Sequence, residues 1–328
     1  HMNKTVIEVK NLKKYYQVYK KEPGIAGSIK SIFNRQYLDV KAINDVSFKI
    51  NEGELVGFIG PNGAGKTTTL KTLSGLLYPS DGSINVLGIN PSDRNPILQK
   101  QFSLIMGQKN QLWWDLPIWE SLLLNKAIYE IPDDEFNRSV NELTDLLDLK
   151  DHLHIQARKL SLGQRMKSEL LAALLHTPKI LFLDEPTIGL DVIAQKKMRD
   201  FIKEYNQKHN ATILLTSHYM EDVKELCKRI IVIDKGKIIY DGSLEKIVSK
   251  YAKYKIIKID FDNKPDIKKL EEVGEVKTLD DFHAKIYVPR EESIKRAIHL
   301  LEHFEITDFV VEELPIEEII RQMFENPK

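Results

Sequence analysis

The chain has 328 residues, with 48 basic and 48 acidic side chains, and 42% of its residues are hydrophobic. Such a length suits one large domain and a smaller second one. The balanced charge gives no general reason to expect nucleic acid or an anionic membrane surface as a partner. The sequence shows no membrane-spanning apolar run and no signal peptide, which predicts a cytoplasmic protein. The single cysteine, Cys227, is expected to be a buried apolar residue.

The first part of the chain, residues 1–246, has the alternation of strands and helices that is typical of a parallel α/β domain. TVIEVKNL and AINDVSFKI are predicted strands, separated by an insert at about residues 18–40. The insert is interpreted either as a surface elaboration or as an amphipathic element near a membrane partner. ELVGFIG, KILFLDEP and TILLTSH predict buried strands, and RIIVIDKGKIIYDG predicts a strand pair with a Lys-Gly turn. A helix is expected from Lys66 to about Leu76, and residues about 109–175 predict a helical subdomain.

Residues 247–328 follow a different pattern. Strand and helix signals alternate from KYKIIKIDF to ITDFVVEEL in the order βαββαβ, and a last helix is opened by Pro315. This order predicts a small α+β domain of the ferredoxin-like type. A packing or dimerisation role is favoured for it over a ligand-sensing role.

A phosphate-binding loop is predicted at GPNGAGKTTT. The stretch matches G-x-x-x-x-G-K-[ST] between a predicted strand and a predicted helix, where glycines let successive backbone N–H groups point at phosphate oxygens. Lys66 would bind the β- and γ-phosphates, and the Thr67 hydroxyl would hold Mg²⁺. The predicted phosphate-binding residues are Gly60, Pro61, Asn62, Gly63, Ala64, Gly65, Lys66, Thr67 and Thr68.

Two acids and a histidine end the later buried strands. Asp184 is expected to hold Mg²⁺ directly or through water, and Glu185 to orient and polarise the attacking water. His218 would face the γ-phosphate from the carboxyl edge of the sheet.

The phosphate loop, LSLGQ, LFLDEPTIGLD and TSH, in this order, resemble the nucleotide-binding subunit of an ABC transporter over about residues 6–242. GQKNQLWWDLP and the stretch from LSLGQ to IGLD are more similar to ATPase subunits of ABC-2-type exporters linked to multidrug or viologen efflux. The resemblance implies a P-loop RecA-like core with a helical subdomain. It also implies that two copies close head to tail around two ATP molecules.

Through the resemblance, LSLGQ is identified as the family signature, which lies across the γ-phosphate of the nucleotide held by the opposite subunit. Ser161, Gly163 and Gln164 are the residues that match, whereas Leu162 stands where the common pattern has glycine. One phosphate loop and one signature are two half-sites of opposite type, which only a second copy or a paralogue can complete.

The resemblance assigns further residues individually. Gln108 aligns with the glutamine that senses the γ-phosphate and Mg²⁺, with Gln111 as the alternative. Asp191 matches the loop that passes between subunits, and Tyr16 matches the aromatic that stacks on adenine, with Tyr15 as the alternative. Either tyrosine would otherwise be a packing residue at a strand end.

Trp113 and Trp114 lie in the region that meets the short cytoplasmic helices of the membrane subunits in this family. At least one of them is predicted to be exposed and to anchor that contact. The function predicted is therefore a Mg-ATP-hydrolysing subunit at the inner face of the cell membrane, bound to permease subunits of ABC-2 type and paired with a second copy. The alternative is an importer ATPase whose C-terminal domain senses the transported ligand.

Overall fold

The computed structural model describes residues 4–19, 37–107, 111–251 and 253–325. The two interpretations of the insert concern a stretch that lies largely outside these described residues. The chain divides into two compact units, His1–Gly242 and Ser243–Lys328. Within the described part, no helix is both long and apolar enough to cross a bilayer.

The first unit contains nine strands and seven α-helices among its described residues. In chain order they are β1 (Thr5–Tyr19), β2 (Tyr37–Asn51), β3 (Leu55–Ile59), α1 (Lys66–Leu73), β4 (Asp81–Val86), α2 (Pro96–Gln99), β5 (Phe102–Met106), α3 (Ile118–Tyr129), α4 (Asp133–Leu147), α5 (Leu162–Leu174), β6 (Ile180–Asp184), α6 (Val192–His209), β7 (Thr212–Thr216), α7 (Met220–Leu226), β8 (Arg229–Asp234) and β9 (Lys237–Ser243).

The main sheet has the strand order β5-β6-β7-β3-β8-β9. Its pairs β5·β6, β6·β7, β3·β7 and β3·β8 are parallel, as the continuous apolar runs predict. β9 joins the edge after the Lys235-Gly236 turn, in which both residues have positive φ. The carboxyl ends of β3, β6 and β7 meet at one edge of the sheet, so the loops that follow these strands converge there.

A second sheet of the first unit has the order β2-β1-β4 and is antiparallel. β1 and β2 pair from Thr5 opposite Asn51 to Tyr19 opposite Tyr37. Its inner residues share one hydrophobic core with β3, α1 and the main sheet. The sequence predicted β1 and β2 as strands but predicted neither β4 nor this separate sheet.

Three helices, α3, α4 and α5, lie between β5 and β6 in the chain and pack on one another through α5. α4 begins with three acidic residues, Asp133, Asp134 and Glu135, which stabilise the positive end of the helix dipole. Its inward face buries Phe136, Val140, Leu143 and Leu147.

The second unit contains α8 (Leu244–Tyr251), β10 (Tyr254–Phe261), α9 (Ile267–Val273), β11 (Glu275–Leu279), β12 (His283–Pro289), α10 (Ser293–His303), β13 (Ile306–Glu313) and α11 (Ile316–Glu325). Its antiparallel sheet has the order β11-β12-β10-β13. α9 and α10 cover one face, with Leu270, Ala297 and Leu300 packed on β10 and β12. This is the ferredoxin-like α+β fold that the strand and helix order predicted, preceded by the unpredicted helix α8.

Candidate nucleotide-binding site

The phosphate loop follows β3 and leads directly into α1. Two of its glycines are required by space: a Cβ at Gly60 would lie 2.2 Å from the carbonyl oxygen of Ile233, and one at Gly65 would lie 2.4 Å from that of Ala42. Gly65 also has a φ of 109°, which disfavours any side chain. Lys66 Nζ curls back over the loop and donates to the carbonyl oxygens of Gly60 at 2.7 Å and Pro61 at 3.1 Å.

Asp184, at the end of β6, binds two hydroxyls across the edge of the sheet. Thr67 Oγ1 donates to Asp184 Oδ2 at 2.8 Å, and Thr216 Oγ1 donates to Asp184 Oδ1 at 2.7 Å. The start of α1, the end of β6 and the end of β7 are thus joined at one carboxylate. This arrangement brings together Thr67 and Asp184, two of the three residues that the sequence analysis assigned to Mg²⁺.

Glu185 and His218 contact each other beside Asp184. His218 Nε2 lies 2.6 Å from Glu185 Oε1, and the Glu185 backbone N–H donates to Thr216 Oγ1 at 3.1 Å. Glu185 has a φ of 57°, in the left-handed region that is uncommon for a residue with a side chain. The strain points to a position held by its surroundings.

Burial is the largest cause of the pKa shifts of Glu185, His218 and Lys66. It raises the pKa of the Glu185 carboxyl, an effect that Lys66 opposes and Asp184 reinforces. Burial also lowers the pKa of His218, an effect that the Lys66 charge reinforces and Asp184 opposes. Burial lowers the pKa of Lys66 as well, and Glu185 and Asp184 oppose that shift. Glu185 Oε2 is buried and has no hydrogen-bond partner among the described residues. A carboxyl of raised pKa with one unpartnered oxygen is suited to accept a proton from water.

These side chains surround one cleft of about 420 Å³. Tyr15 and Tyr16 are not among its lining residues, whereas Ala42, on the strand paired with β1, is. Tyr15 donates its hydroxyl hydrogen to Asn44 Oδ1 at 3.2 Å, and the Lys14 ammonium lies 5.2 Å from the centre of the Tyr16 ring. The cleft is lined by Ala42, Asn62, Gly63, Gly65, Lys66, Thr67, Thr68, Lys71, Met106, Gly107, Asp184, Glu185 and His218.

Gln108 lies outside the described residues, so its predicted place at the γ-phosphate stays a prediction. The alternative, Gln111, donates from its side-chain amide to the carbonyl oxygen of Leu104 at 2.7 Å. Its backbone N–H donates to Glu169 Oε2 at 2.8 Å. Glu169 is buried on α5, and burial raises the pKa of its carboxyl while the backbone N–H groups of Gln111 and Leu112 oppose that shift.

The residues of LSLGQ form the beginning of α5. Ser161 is the N-cap and Gln164 completes a capping box: Gln164 N donates to Ser161 Oγ at 3.2 Å and Ser161 N donates to Gln164 Oε1 at 2.9 Å. Both side chains therefore have a local structural partner. Gly163 stands where a Cβ would meet only the Ala194 methyl at 3.5 Å, an ordinary contact.

The start of α5 and the loop before α6 line a second hollow, of about 620 Å³, which shares no lining residue with the first cleft. Asp191 caps α6 by accepting from the Ala194 N–H at 2.8 Å. Leu162, the departure from the common pattern, lies over Gly189, where a Cβ would be 3.1 Å from its Cδ2. The bulky residue thus lies over a neighbour that has no side chain.

Trp113 and Trp114 are 59% and 47% exposed, which confirms the predicted exposure. The Arg165 guanidinium of α5 lies 5.2 Å from the centre of the Trp114 ring. Further large apolar side chains are exposed nearby in the sequence, namely Leu116, Leu123, Leu124 and Ile128.

Asp222 is a functional candidate that the sequence analysis missed. It is fully buried on α7 and accepts from Ser217 Oγ at 2.7 Å, from the Thr187 hydroxyl and from Arg199 Nη1 at 3.0 Å. Ser217 precedes His218, and Thr187 lies two residues after Glu185. One carboxylate thus binds the two loops that carry the histidine and the glutamate. No local sequence pattern indicates these partners, because they lie on separate elements.

A glycine-rich phosphate loop at a helix start, a lysine over it, and paired acids at the adjacent strand end define a nucleoside triphosphatase of the P-loop type. Comparison with known proteins agrees. Residues 43–188 match the family described as ABC transporter, and residues 253–312 match the EvrA-like ABC transporter C-terminal domain.

Three curated relatives are similar in sequence. The chain is 35% identical to the ABC transporter ATP-binding protein NatA of Bacillus subtilis over 63% of this chain and 84% of the relative. It is 33% identical to the Nod factor export ATP-binding protein I of Cupriavidus pinatubonensis, over 65% of each chain. It is 31% identical to the methionine import ATP-binding protein MetN of Halalkalibacterium halodurans, over 68% of this chain and 67% of the relative.

A solved structure of the ATP-binding subunit of an ABC transporter superposes with a TM-score of 0.61 and 28% identity, over 75% of this chain and 93% of that one. The chain therefore belongs to the family of ABC transporter ATP-binding proteins. It is an ATPase that binds nucleotide and powers transport, with the P-loop RecA-like fold that the sequence predicted and a small C-terminal domain.

Proposed function

We propose that the chain is the ATP-hydrolysing subunit of an ABC-2-type exporter. Permease subunits would hold it at the inner face of the cell membrane, and two copies would close around two ATP molecules. The observation that carries the proposal is the separation of the two hollows: the phosphate-loop cleft and the hollow at the start of α5 share no lining residue. A signature that does not line the phosphate-loop cleft of its own chain is suited to cover the nucleotide of a partner.

In this proposal each of the described site residues has a separate role in binding or hydrolysing ATP. Lys66 releases its two loop carbonyls and binds the β- and γ-phosphates together with the backbone N–H groups of residues 62–68. Glu185 orients the attacking water and accepts its proton. His218, which contacts Glu185 in this structure, faces the γ-phosphate beside that water. Asp191 and the signature residues Ser161, Gly163 and Gln164 would complete the partner's site.

The oxygen donors at the cleft fit Mg²⁺. The Thr67 hydroxyl and the Asp184 carboxylate lie 2.8 Å apart, and a hydroxyl with a carboxylate is a donor set that this hard cation accepts. We assign Mg²⁺ to these two residues, with Gln108 as the third predicted ligand. The ion supplies neutralisation of the phosphate charge when bound.

The exposed tryptophans support a docking surface for the permease. Trp113 and Trp114 are large apolar side chains whose exposure is unfavourable unless a partner covers them. Arg165 and Glu169, both on α5, hold the loop that carries them. A short cytoplasmic helix of the membrane subunit would pack on this surface, with the tryptophans as its anchors.

Two observations support export as the direction of transport. GQKNQLWWDLP resembles ATPase subunits of ABC-2-type exporters, and the chain is similar to a relative whose name describes export. The similarity to a methionine import protein keeps an importer with a ligand-sensing C-terminal domain as the second candidate. A thermal-shift screen of small metabolites on the full chain separates the two. A ligand that stabilises the C-terminal unit, without effect on ATP binding, would favour the importer.

The central test is the solution mass of Glu185→Gln with and without Mg-ATP. This change keeps the shape of the site and removes the proton acceptor, so ATP should bind and persist. We expect monomer without nucleotide at low micromolar protein concentration, and dimer with Mg-ATP. As a matched control, Gly163→Asp in the same background should bind ATP at its own phosphate loop and stay monomeric, because the added carboxylate repels the partner's phosphates. Monomer with ATP demonstrably bound to the single variant would refute the homodimer.

A further inference from the structure

Helix α10 of the C-terminal unit has an exposed apolar stripe. Ile294, Ile298 and Leu301 are 75%, 50% and 48% exposed. At about 100° per residue the three side chains fall within an arc of about 60° on the helix surface. The inward face of the same helix adjoins this stripe on one side, and its residues Ala297 and Leu300 pack on the sheet. The apolar surface of α10 is therefore wider than the part that its own domain covers.

The stripe is bordered by unpaired charges of opposite sign. Lys295 and Glu302 are both exposed, and neither has an ion-pair or hydrogen-bond partner among the described residues. They are seven residues apart, so they lie on the same side of the stripe within about 20° of each other. By contrast, Arg296 of the same helix binds within its own domain, to Glu292 and to the carbonyl oxygens of Glu272 and Val273.

We propose that this face of α10 binds the same face of α10 in a second copy of the chain. In an antiparallel pair with a two-fold axis between residues 298 and 299, Lys295 of each copy lies opposite Glu302 of the other. The same axis brings the two Ile298 side chains together, flanked by Ile294 and Leu301. A surface that is complementary to itself in both apolar stripe and charge is what an isologous contact requires.

The contact is small, so it is weak by itself. Three apolar side chains and two rim ion pairs bury far less than the roughly 1,200 Å² typical of a stable interface. Rim pairs set register and exclude wrong partners more than they add affinity. When a second contact holds two copies together, the pairing of the two α10 helices becomes intramolecular. The effective concentration of one α10 helix at the other then rises to about the millimolar range. Where permease subunits hold two copies in one complex, the C-terminal units would then also pair between nucleotide cycles.

Cysteine cross-linking of the full chain tests the pairing without nucleotide. The single native thiol, Cys227, is buried, and burial raises its pKa, so it does not react under mild oxidation. Ile298→Cys places one reactive thiol beside the two-fold axis and should give a disulfide-linked dimer. Val310→Cys is the matched control, since Val310 is similarly exposed while its neighbours Phe309 and Val311 pack on the core from the other side of β13. Equal cross-linking of both variants, or of neither, overturns the proposal.

A charge exchange tests the register. In the Ile298→Cys background, Lys295→Glu should slow cross-linking by about fivefold, because two symmetric rim pairs become repulsive. Adding Glu302→Lys should restore the original rate, and failure to restore it contradicts the antiparallel pairing. All of these measurements use nucleotide-free protein. Their outcome is therefore independent of whether Glu185→Gln dimerises with Mg-ATP.

Discussion

Asp222→Asn offers a sharp test of how the loops around the cleft are held. The substitution keeps the side-chain shape and removes one negative charge at a fully buried position. Asp222 now accepts from two hydroxyls through one oxygen and from Arg199 through the other. The best arrangement for an asparagine directs its carbonyl oxygen at Arg199 and its N–H₂ group at the Thr187 and Ser217 hydroxyls, which can turn to accept. Hydrogen bonding can survive, whereas the charge pair cannot.

The size of the effect follows from the burial of Arg199. The Arg199 side chain is 6% exposed and keeps one other carboxylate nearby, Glu225, at 3.1 Å from Nε. Removing one partner of a buried ion pair lowers stability by about 3 to 5 kcal/mol. Because Glu225 remains and no cavity forms, we expect the lower end, a loss of about 3 kcal/mol in the free energy of unfolding.

Activity should fall as well, for a reason separate from stability. Asp222 binds Ser217, the residue before His218, and Thr187 in the loop that follows Glu185. Removal of the Asp222 charge should therefore displace the His218 and Glu185 side chains. A tenfold decrease in kcat corresponds to about 1.4 kcal/mol of lost transition-state stabilisation, and we expect a decrease of about that size. KM for ATP should change little, since the phosphate loop does not touch Asp222.

Urea denaturation and steady-state ATPase assays check the two effects on the same protein samples. Asp200→Asn is the matched control, because Asp200 pairs with Lys196 on the exposed face of α6 and its removal should change neither stability nor kcat appreciably. If Asp222→Asn were no less stable than the control, the buried pair would not matter as described. If it lost stability and kept its kcat, Asp222 would be a structural residue without a role in positioning the loops.

Three further predictions concern other parts of the chain. Gly107→Ala should lower kcat, because its Cβ would lie 2.3 Å from the carbonyl oxygen of Glu185; an unchanged ATPase rate would show that the loop yields freely. Gly163→Ala should leave the urea midpoint unchanged, since its Cβ meets only an ordinary contact, yet lower the ATPase rate if the partner's phosphate approaches that backbone. His176 is stacked on Tyr129, and burial lowers its pKa to about 4. The folded state therefore favours neutral His176: its stabilising effect is complete above about pH 6.5 and is lost towards pH 4, by at most about 1.4 kcal/mol per pH unit. Relative to wild type, His176→Gln should show a shallower fall in stability over that window, and parallel pH curves for the two proteins would contradict this assignment.

Much of the site was predictable because the chemistry lies at strand ends. A buried strand followed by GPNGAGKTTT, and another followed by two acids, must converge if the sheet is parallel, and Thr67 does contact Asp184. The C-terminal fold was predictable for a similar reason, since short amphipathic helices and alternating strands give clear periodicities. The exposure of Trp113 and Trp114 followed from their adjacency in a loop.

Other features depend on contacts that no local pattern encodes. The buried link between Arg199 and Asp222 joins two helices, and a charged residue on a helix is usually solvated. β4 begins with Asp-Gly-Ser, which is typical of a turn, and becomes a strand only by pairing with β1. Tyr16 is not among the residues that line the cleft, and no sequence pattern distinguishes it from Tyr15, so its stacking on adenine stays a prediction.

Helix α5 has a mechanical consequence. Its 13 residues extend about 20 Å, with the signature at one end and, farther along, Arg165 against Trp114 and Glu169 against the Gln111 and Leu112 N–H groups. A hydrogen-bonded helix bends little over such a length, so a force applied at the tryptophans rotates α5 as a rigid body. The first turn, where Ser161 and Gly163 lie, moves with it. In the proposed transporter, a movement of the permease against the tryptophans would therefore displace Ser161 and Gly163, which lie within about one turn of Arg165. Closure of the signature on a partner's nucleotide would displace the tryptophans in return.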